Sequence, residues 1–128
     1  MTPEQEEAAA EIAHLLEEGA LGPPLLDELP ETVRGRGDFL ALVRRLEEAG
    51  TIRQVAEGLY LSAEELDEAE ARIQSELSGR TGLGPADFRE VLPVTRKHLI
   101  PLLNHFDGRG VTIRSPDGRD VPAGEATK

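Results

Sequence analysis

Apolar and polar positions run through the same order twice along this chain. In the first half, Thr2, Pro3 and Gln5 have the spacing of an N-cap, a first helical proline and a capping-box partner. Ala9, Ile12, Ala13 and Leu16 then recur at helical spacing, with Leu15 beside them, until Gly19. Gly22-Pro23-Pro24 predicts a loop and Leu25–Leu29 a short helix stopped by Pro30. Arg34-Gly35-Arg36-Gly37 predicts a flexible turn. Asp38 then stands where it would cap a second long helix, whose Phe39, Leu42, Val43 and Leu46 follow the i, i+3, i+4, i+7 rule up to Gly50. Thr51–Val55 and Leu59–Leu61 alternate around Ala56-Glu57-Gly58, a two-stranded wing.

The second half repeats this plan. Ser62-Ala63-Glu64-Glu65 has capping-box spacing and opens a helix with Leu66, Ala69, Ile73 and Leu77 on one face. The glycine-rich run from Gly79 to Gly84 is expected to be mobile. Pro85–Leu92 predicts a short helix, Pro93 a break, and Val94 and Thr95 a hydrophobic residue and an N-cap hydroxyl before a second long helix. Two short strands joined by Pro116-Asp117-Gly118 follow Gly108 and Gly110. A shift of 60 residues superposes Phe39 on Leu99, Leu42 on Leu102, Val43 on Leu103, Leu46 on Phe106 and Gly50 on Gly110. Thr51-Ile52-Arg53 then matches Thr112-Ile113-Arg114 with one residue slipped. The expected fold is mostly α with small β wings, a tandem winged helix-turn-helix. Its modules are expected at 1–61 and 62–122, followed by a polar tail at 123–128. Pro101 breaks the pattern, because a proline in the second turn costs about 3 kcal/mol or kinks the helix.

Composition narrows the function. The 128 residues suit one domain or two very small ones, and no apolar run approaches a membrane span, so the chain is expected to be soluble and cytoplasmic. Aromatic residues are only 3% of the chain, too few for a base-stacking platform. The absence of cysteine excludes disulfides and thiolate zinc sites. His98 and His105 lie two turns apart, not at the i, i+4 spacing of helical zinc ligands, so they and His14 are expected to be structural. The Glu47-Glu48 and Glu64-Glu65 pairs are expected to be solvated faces and caps. No cofactor, metal or catalytic residue is therefore expected.

The net charge of −11 argues against nucleic acid until its distribution is considered. Residues 1–79 hold six Lys and Arg against nineteen Asp and Glu, a net −13; residues 80–128 hold eight against six, a net +2. Within the second part, Arg96 and Lys97 open the long helix, where the macrodipole disfavours cations by a few tenths to about 1 kcal/mol each. Either both point idly into solvent, or they form a phosphate site with the open N–H groups of the helix end.

The run Phe88-Arg89, Thr95-Arg96-Lys97, Ile100-Pro101-Leu102-Leu103, Phe106-Asp107, Gly110 and Val111-Thr112 resembles the last winged-helix module of the bacterial selenocysteine-specific elongation factors. About 35 residues carry the likeness, and its Thr-Arg-Lys…Ile-Pro-Leu-Leu pattern includes the unusual helix-interior proline. The resemblance implies a C-terminal row of winged-helix modules whose last members clamp the selenocysteine insertion hairpin in messenger RNA. It implies phosphate contacts from Arg96 and Lys97, with Thr95 at the helix cap and Arg89, Arg114 and Arg119 flanking. His98 and Leu99 depart from the pattern, which has an aromatic and an alanine there, and so does Asn104, where an acidic residue is common. No G-x-x-x-x-G-K-[ST] phosphate loop occurs, so the family's GTPase and tRNA-binding domains have no counterpart. The chain is then a fragment of a longer factor or a detached RNA-binding piece, with upstream domains or the ribosome as further partners. Two other readings stay open. One is a DNA-binding winged-helix regulator. The other is an acidic protein-interaction scaffold, which the charge of the first part favours.

Overall fold

The computed structural model describes residues 2–123, so the polar tail expected over 123–128 lies, apart from Ala123, outside the described residues. The chain divides into two compact units, Met1–Glu65 and Leu66–Lys128. The architecture is a tandem winged helix-turn-helix, mostly α with two small antiparallel wings. Among the described residues no helix is long and apolar enough to cross a membrane.

In the first unit, α1 (Pro3–Glu18) begins with the expected capping box. Thr2 Oγ1 accepts from the Gln5 amide at 3.1 Å, and Gln5 Oε1 accepts from the Thr2 amide at 3.0 Å. Ala8, Ala9, Ile12 and Leu16 form its buried stripe. A single 3₁₀ turn, Leu26–Glu28, replaces the short helix expected over 25–29. Pro30 follows the end of that turn, as expected, and also begins the next element. It sits at the N-cap of α2 (Glu31–Arg34), and its carbonyl accepts from the Val33 and Arg34 amides at 3.1 and 2.9 Å. A fixed φ and a missing N–H cost nothing just before a helix, where that N–H needs no helical partner.

The next helix, α3 (Phe39–Glu48), buries Phe39, Leu42 and Val43. Asp38 holds its N-cap position without capping it. Its carboxylate is occupied by Arg36, at 2.8 and 3.0 Å, and by Gln5 Nε2 at 3.3 Å. A charge-assisted fork outcompetes a single backbone amide. The first wing pairs β1 (Ile52–Ala56) with β2 (Leu59–Ser62), with an irregularity between Gln54 and Ala56.

The division between the units falls inside α4 (Ala63–Glu76), which buries Leu66, Ala69, Ile73 and, just past its end, Leu77. α5 (Pro85–Val91) and α6 (Arg96–Arg109) follow, then the wing strands β3 (Ile113–Ser115) and β4 (Gly118–Asp120). The run 79–84, expected to be mobile, is instead tied to this wing. Leu83 exchanges backbone hydrogen bonds with Arg119 at 2.8 and 3.0 Å, and Val121 bonds to both Gly79 and Arg80 at 2.9 Å. Gly118 makes the approach possible: its φ is +143°, and a side chain there would collide with the Leu83 carbonyl.

The 60-residue repeat is real in three dimensions. Leu42, Val43, Leu102 and Leu103 are all buried, and Gly50 and Gly110 both adopt φ of +80° at their helix ends. The one-residue slip expected in the wings is absent. Thr51 N donates to Leu46 O, and Val111 N to Phe106 O, each at 3.0 Å and each pair 60 residues from the other. Ile52 therefore corresponds to Thr112, both 1% exposed, and not to Ile113, which is 52% exposed. A strand has a side-chain period of two, so a slip would have put the wrong face inward.

Candidate nucleic-acid interface

The helix-turn-helix is held from below by apolar anchors. Phe88 on α5, Leu92 and Val94 in the turn, and Leu99, Leu102, Leu103 and Phe106 on α6 are all buried. At 100° per residue, Arg96, Lys97, Ile100, Asn104 and Asp107 fall within an arc of about 100° on the other side of α6. The first four are exposed. The amphipathic period that buries the leucines thus dictates which side chains are offered to a ligand.

Thr95 adopts the extended backbone of an N-cap, and its carbonyl accepts from His98 N and Leu99 N at 3.1 and 3.0 Å. Its hydroxyl does not cap the helix as expected. It lies 3.2 Å from His98 Nδ1, which competes for it locally. Neither a side-chain cap nor an acidic residue occupies the first turn, so the Arg96 and Lys97 N–H groups have no side-chain acceptor beside the two cations. Arg89, exposed on the last turn of α5, lines a shallow depression with Ala86, Pro93 and Thr95. Four of the six expected site residues therefore gather around the helix-turn-helix bend. α6 runs on through Pro101, leaving the Lys97 carbonyl without its helical donor.

The other two, Arg114 and Arg119, meet at the base of the wing and differ sharply in exposure. Arg119 has a 13% exposed side chain; its Nε and Nη2 donate to both Asp107 oxygens at 3.0–3.2 Å, and Nη2 also to Asn104 Oδ1 at 3.2 Å. Arg114, 69% exposed, places Nε 3.3 Å from Asp107 Oδ2 and donates from Nη2 to Asn104 Oδ1 at 3.1 Å. Buried Thr112 adds a bond from its hydroxyl to Asp107 Oδ1. Burial pushes the Asp107 carboxyl up, but bonds from Arg119 and Thr112 and the charges of Arg119 and Arg114 outweigh it and hold the group below its ordinary value. The cluster fastens the wing to α6 and keeps one guanidinium outward.

Asn104 and Asp107 carry this geometry, yet neither was singled out as a site residue from the sequence. Their partners lie 5 to 15 residues away across a turn, where no periodicity pairs them. His98 is engaged by Thr95, and the His105 ring lies 5.6 Å from that of Phe106. Among the described residues no group of three His, Cys, Asp or Glu is placed to hold a metal ion.

Residues 75–120 match the family described as elongation factor SelB, winged helix. Over 103 residues the chain is 31% identical to the selenocysteine-specific elongation factor of Desulfomicrobium baculatum, an alignment covering 80% of this chain and 16% of that protein. The chain thus spans about a sixth of the length of this curated relative. Two solved structures share the fold. The mRNA-binding domain of elongation factor SelB from E. coli, in complex with SECIS RNA, superposes with a TM-score of 0.67 at 22% identity, covering 94% of this chain and 99% of that one. The bacterial selenocysteine-specific elongation factor EF-Sec superposes with a TM-score of 0.69 at 20% identity, covering 94% of this chain and 19% of that one. The resemblance carried by residues 88–112 is borne out.

Proposed function

We propose that this chain is the RNA-binding part of a selenocysteine-specific translation elongation factor, and that its second module grips the selenocysteine insertion hairpin of a messenger RNA. One observation carries the proposal: α6 opens with two exposed cations and no side-chain cap where stability alone favours an acidic one. A phosphate supplies the missing anion. Arg96 and Lys97 make the main phosphate contacts, Arg89 and Thr95 border them at the bend, and Arg114 reaches the backbone from the wing. Arg119 flanks them with its guanidinium anchored on Asp107. The match of residues 75–120 to the SelB winged helix supports the same assignment.

On this reading the chain is a binding module and not an enzyme, and it needs no cofactor. It acts in the cytoplasm, alongside the ribosome and the GTPase and tRNA-binding domains of a longer factor. Contacts to roughly three to five phosphates give a shallow dependence of affinity on salt.

Fluorescence anisotropy with a labelled insertion-type hairpin at two salt concentrations tests the proposal. The chain should bind, weaken moderately with salt, and lose binding when residues 80–128 are removed. Reversing both Arg96→Glu and Lys97→Glu should weaken binding well over tenfold with the circular dichroism unchanged; unaltered affinity would overturn the assignment of these two residues. No binding at low salt would shift the function to a protein-interaction scaffold, and preference for duplex DNA to a regulator.

A further inference from the structure

Asn104 lies on the outward face of α6, in line with Arg96, Lys97 and Ile100, and its amide is not symmetric in what it offers. Its Oδ1 accepts from Arg114 Nη2 at 3.1 Å and from Arg119 Nη2 at 3.2 Å. Guanidinium groups only donate, so the network itself dictates which end of the amide faces them. Both also contact the Asp107 carboxylate, Arg119 through a part-buried pair, which stiffens the arrangement. The amide nitrogen then points away from both guanidiniums, on an exposed residue in the middle of the helix. An asparagine in water presents a donor and an acceptor equally. This one presents donors.

Resting on the RNA-binding reading above, we propose that Asn104 is a specificity-determining residue: its amide N–H groups read a keto oxygen on an unpaired base, selecting guanine or uracil over adenine or cytosine at one position of the hairpin. Keto bases display an acceptor where adenine and cytosine display an amino donor, and two donors facing each other are rejected. RNA exposes such edges in loops and bulges, where bases are splayed from the stack.

The test is a binding competition on the full chain with a pool of hairpins of one stem and randomised loop and bulge bases, sequenced after selection. Wild type should enrich G or U over A and C at one position by roughly fivefold or more. Asn104→Asp has the same shape and only acceptors, and it keeps the arginine partners, so its melting curve should remain cooperative. Its preference at that position should reverse to A or C, whose amino groups it can accept from. Asn104→Ala should show no preference there. Because enrichment is relative, the overall affinity lost to the added charge does not enter. Hairpin binding with identical base preferences in wild type and Asn104→Asp would overturn the Asn104 role and leave the RNA-binding reading standing. Failure of wild type to bind any hairpin would overturn both.

Discussion

The two units use one scaffold with opposite chemistry at the point where it matters. α3 and α6 bury equivalent leucine faces and end on equivalent left-handed glycines. Where α3 begins, Asp38 is locked to Arg36 and Gln5; bonding to Arg36, working against a smaller desolvation cost, holds its carboxyl below the ordinary range. The local charge is neutralised within the unit. Where α6 begins, Arg96 and Lys97 face solvent and no acid stands in the turn. The buried face specifies a winged helix in both units, and the exposed face sets two cations at the start of that helix only in the second, the place proposed above for a phosphate. Fold alone does not assign function here, since both units would be assigned alike.

Four experiments would break or sharpen that comparison. The largest effect tests the shared scaffold. Leu42→Ala and Leu102→Ala remove equivalent side chains, each 1% exposed. Each should cost about 2–5 kcal/mol in chemical denaturation. A cost confined to one of them would show that the two helices do not bear equivalent cores.

Next comes the difference in chemistry. Reversing Arg96 and Lys97 should cost more than about 1.4 kcal/mol of hairpin binding, a factor above ten. Reversing Arg44 and Arg45, the exposed cations of α3, should change affinity less than twofold. Equal losses in anisotropy would place RNA on both units and erase the contrast drawn above.

A smaller effect concerns the wing latch. Asp107→Asn keeps the shape but loses the charge holding Arg119, at an expected cost of about 1 kcal/mol. The sign with pH follows from the lowered carboxyl of Asp107. Its stabilisation is fully present above the ordinary carboxylate value and is lost as pH falls through the lowered one. The gap in melting temperature between wild type and Asp107→Asn should therefore hold from neutral pH down to the ordinary carboxylate range and narrow only as pH falls below it. A constant gap would mean that the carboxylate charge is not what fastens the wing.

The smallest effect is at Asp38. Asp38→Asn should lower the thermal midpoint only slightly at neutral pH and leave hairpin binding unchanged, because that pair serves the first unit alone.

Much of this was legible without coordinates because it is local. Helix periods locate Ile12, Leu42, Ile73 and Leu102 in cores, since a 3.6-residue repeat and a buried face are the same fact. Thr2 and Gln5 reveal a cap because both partners lie within one turn. The Pro116-Asp117 turn is local in the same sense. The asymmetry of charge between residues 1–79 and 80–128, and the misplaced cations at 96 and 97, are likewise properties of order along the chain.

What only the folded structure decided is which of the available partners, near or far along the chain, each polar group took. Asp38 and Thr95 both have cap-forming side chains in cap positions. Arg36 with Gln5 in one case and His98 in the other drew those side chains aside. The wing register turned on a backbone bond from Val111 to Phe106, which the likeness of Thr51-Ile52-Arg53 to Thr112-Ile113-Arg114 obscured. Leu83 became a strand partner through Arg119, and Asp107 and Asn104 became a hub through side chains 5 to 15 residues away. Hydrophobic periodicity announces burial one element at a time. A hydrogen bond needs two particular groups in one place, and for groups from different elements that place exists only once the chain has folded.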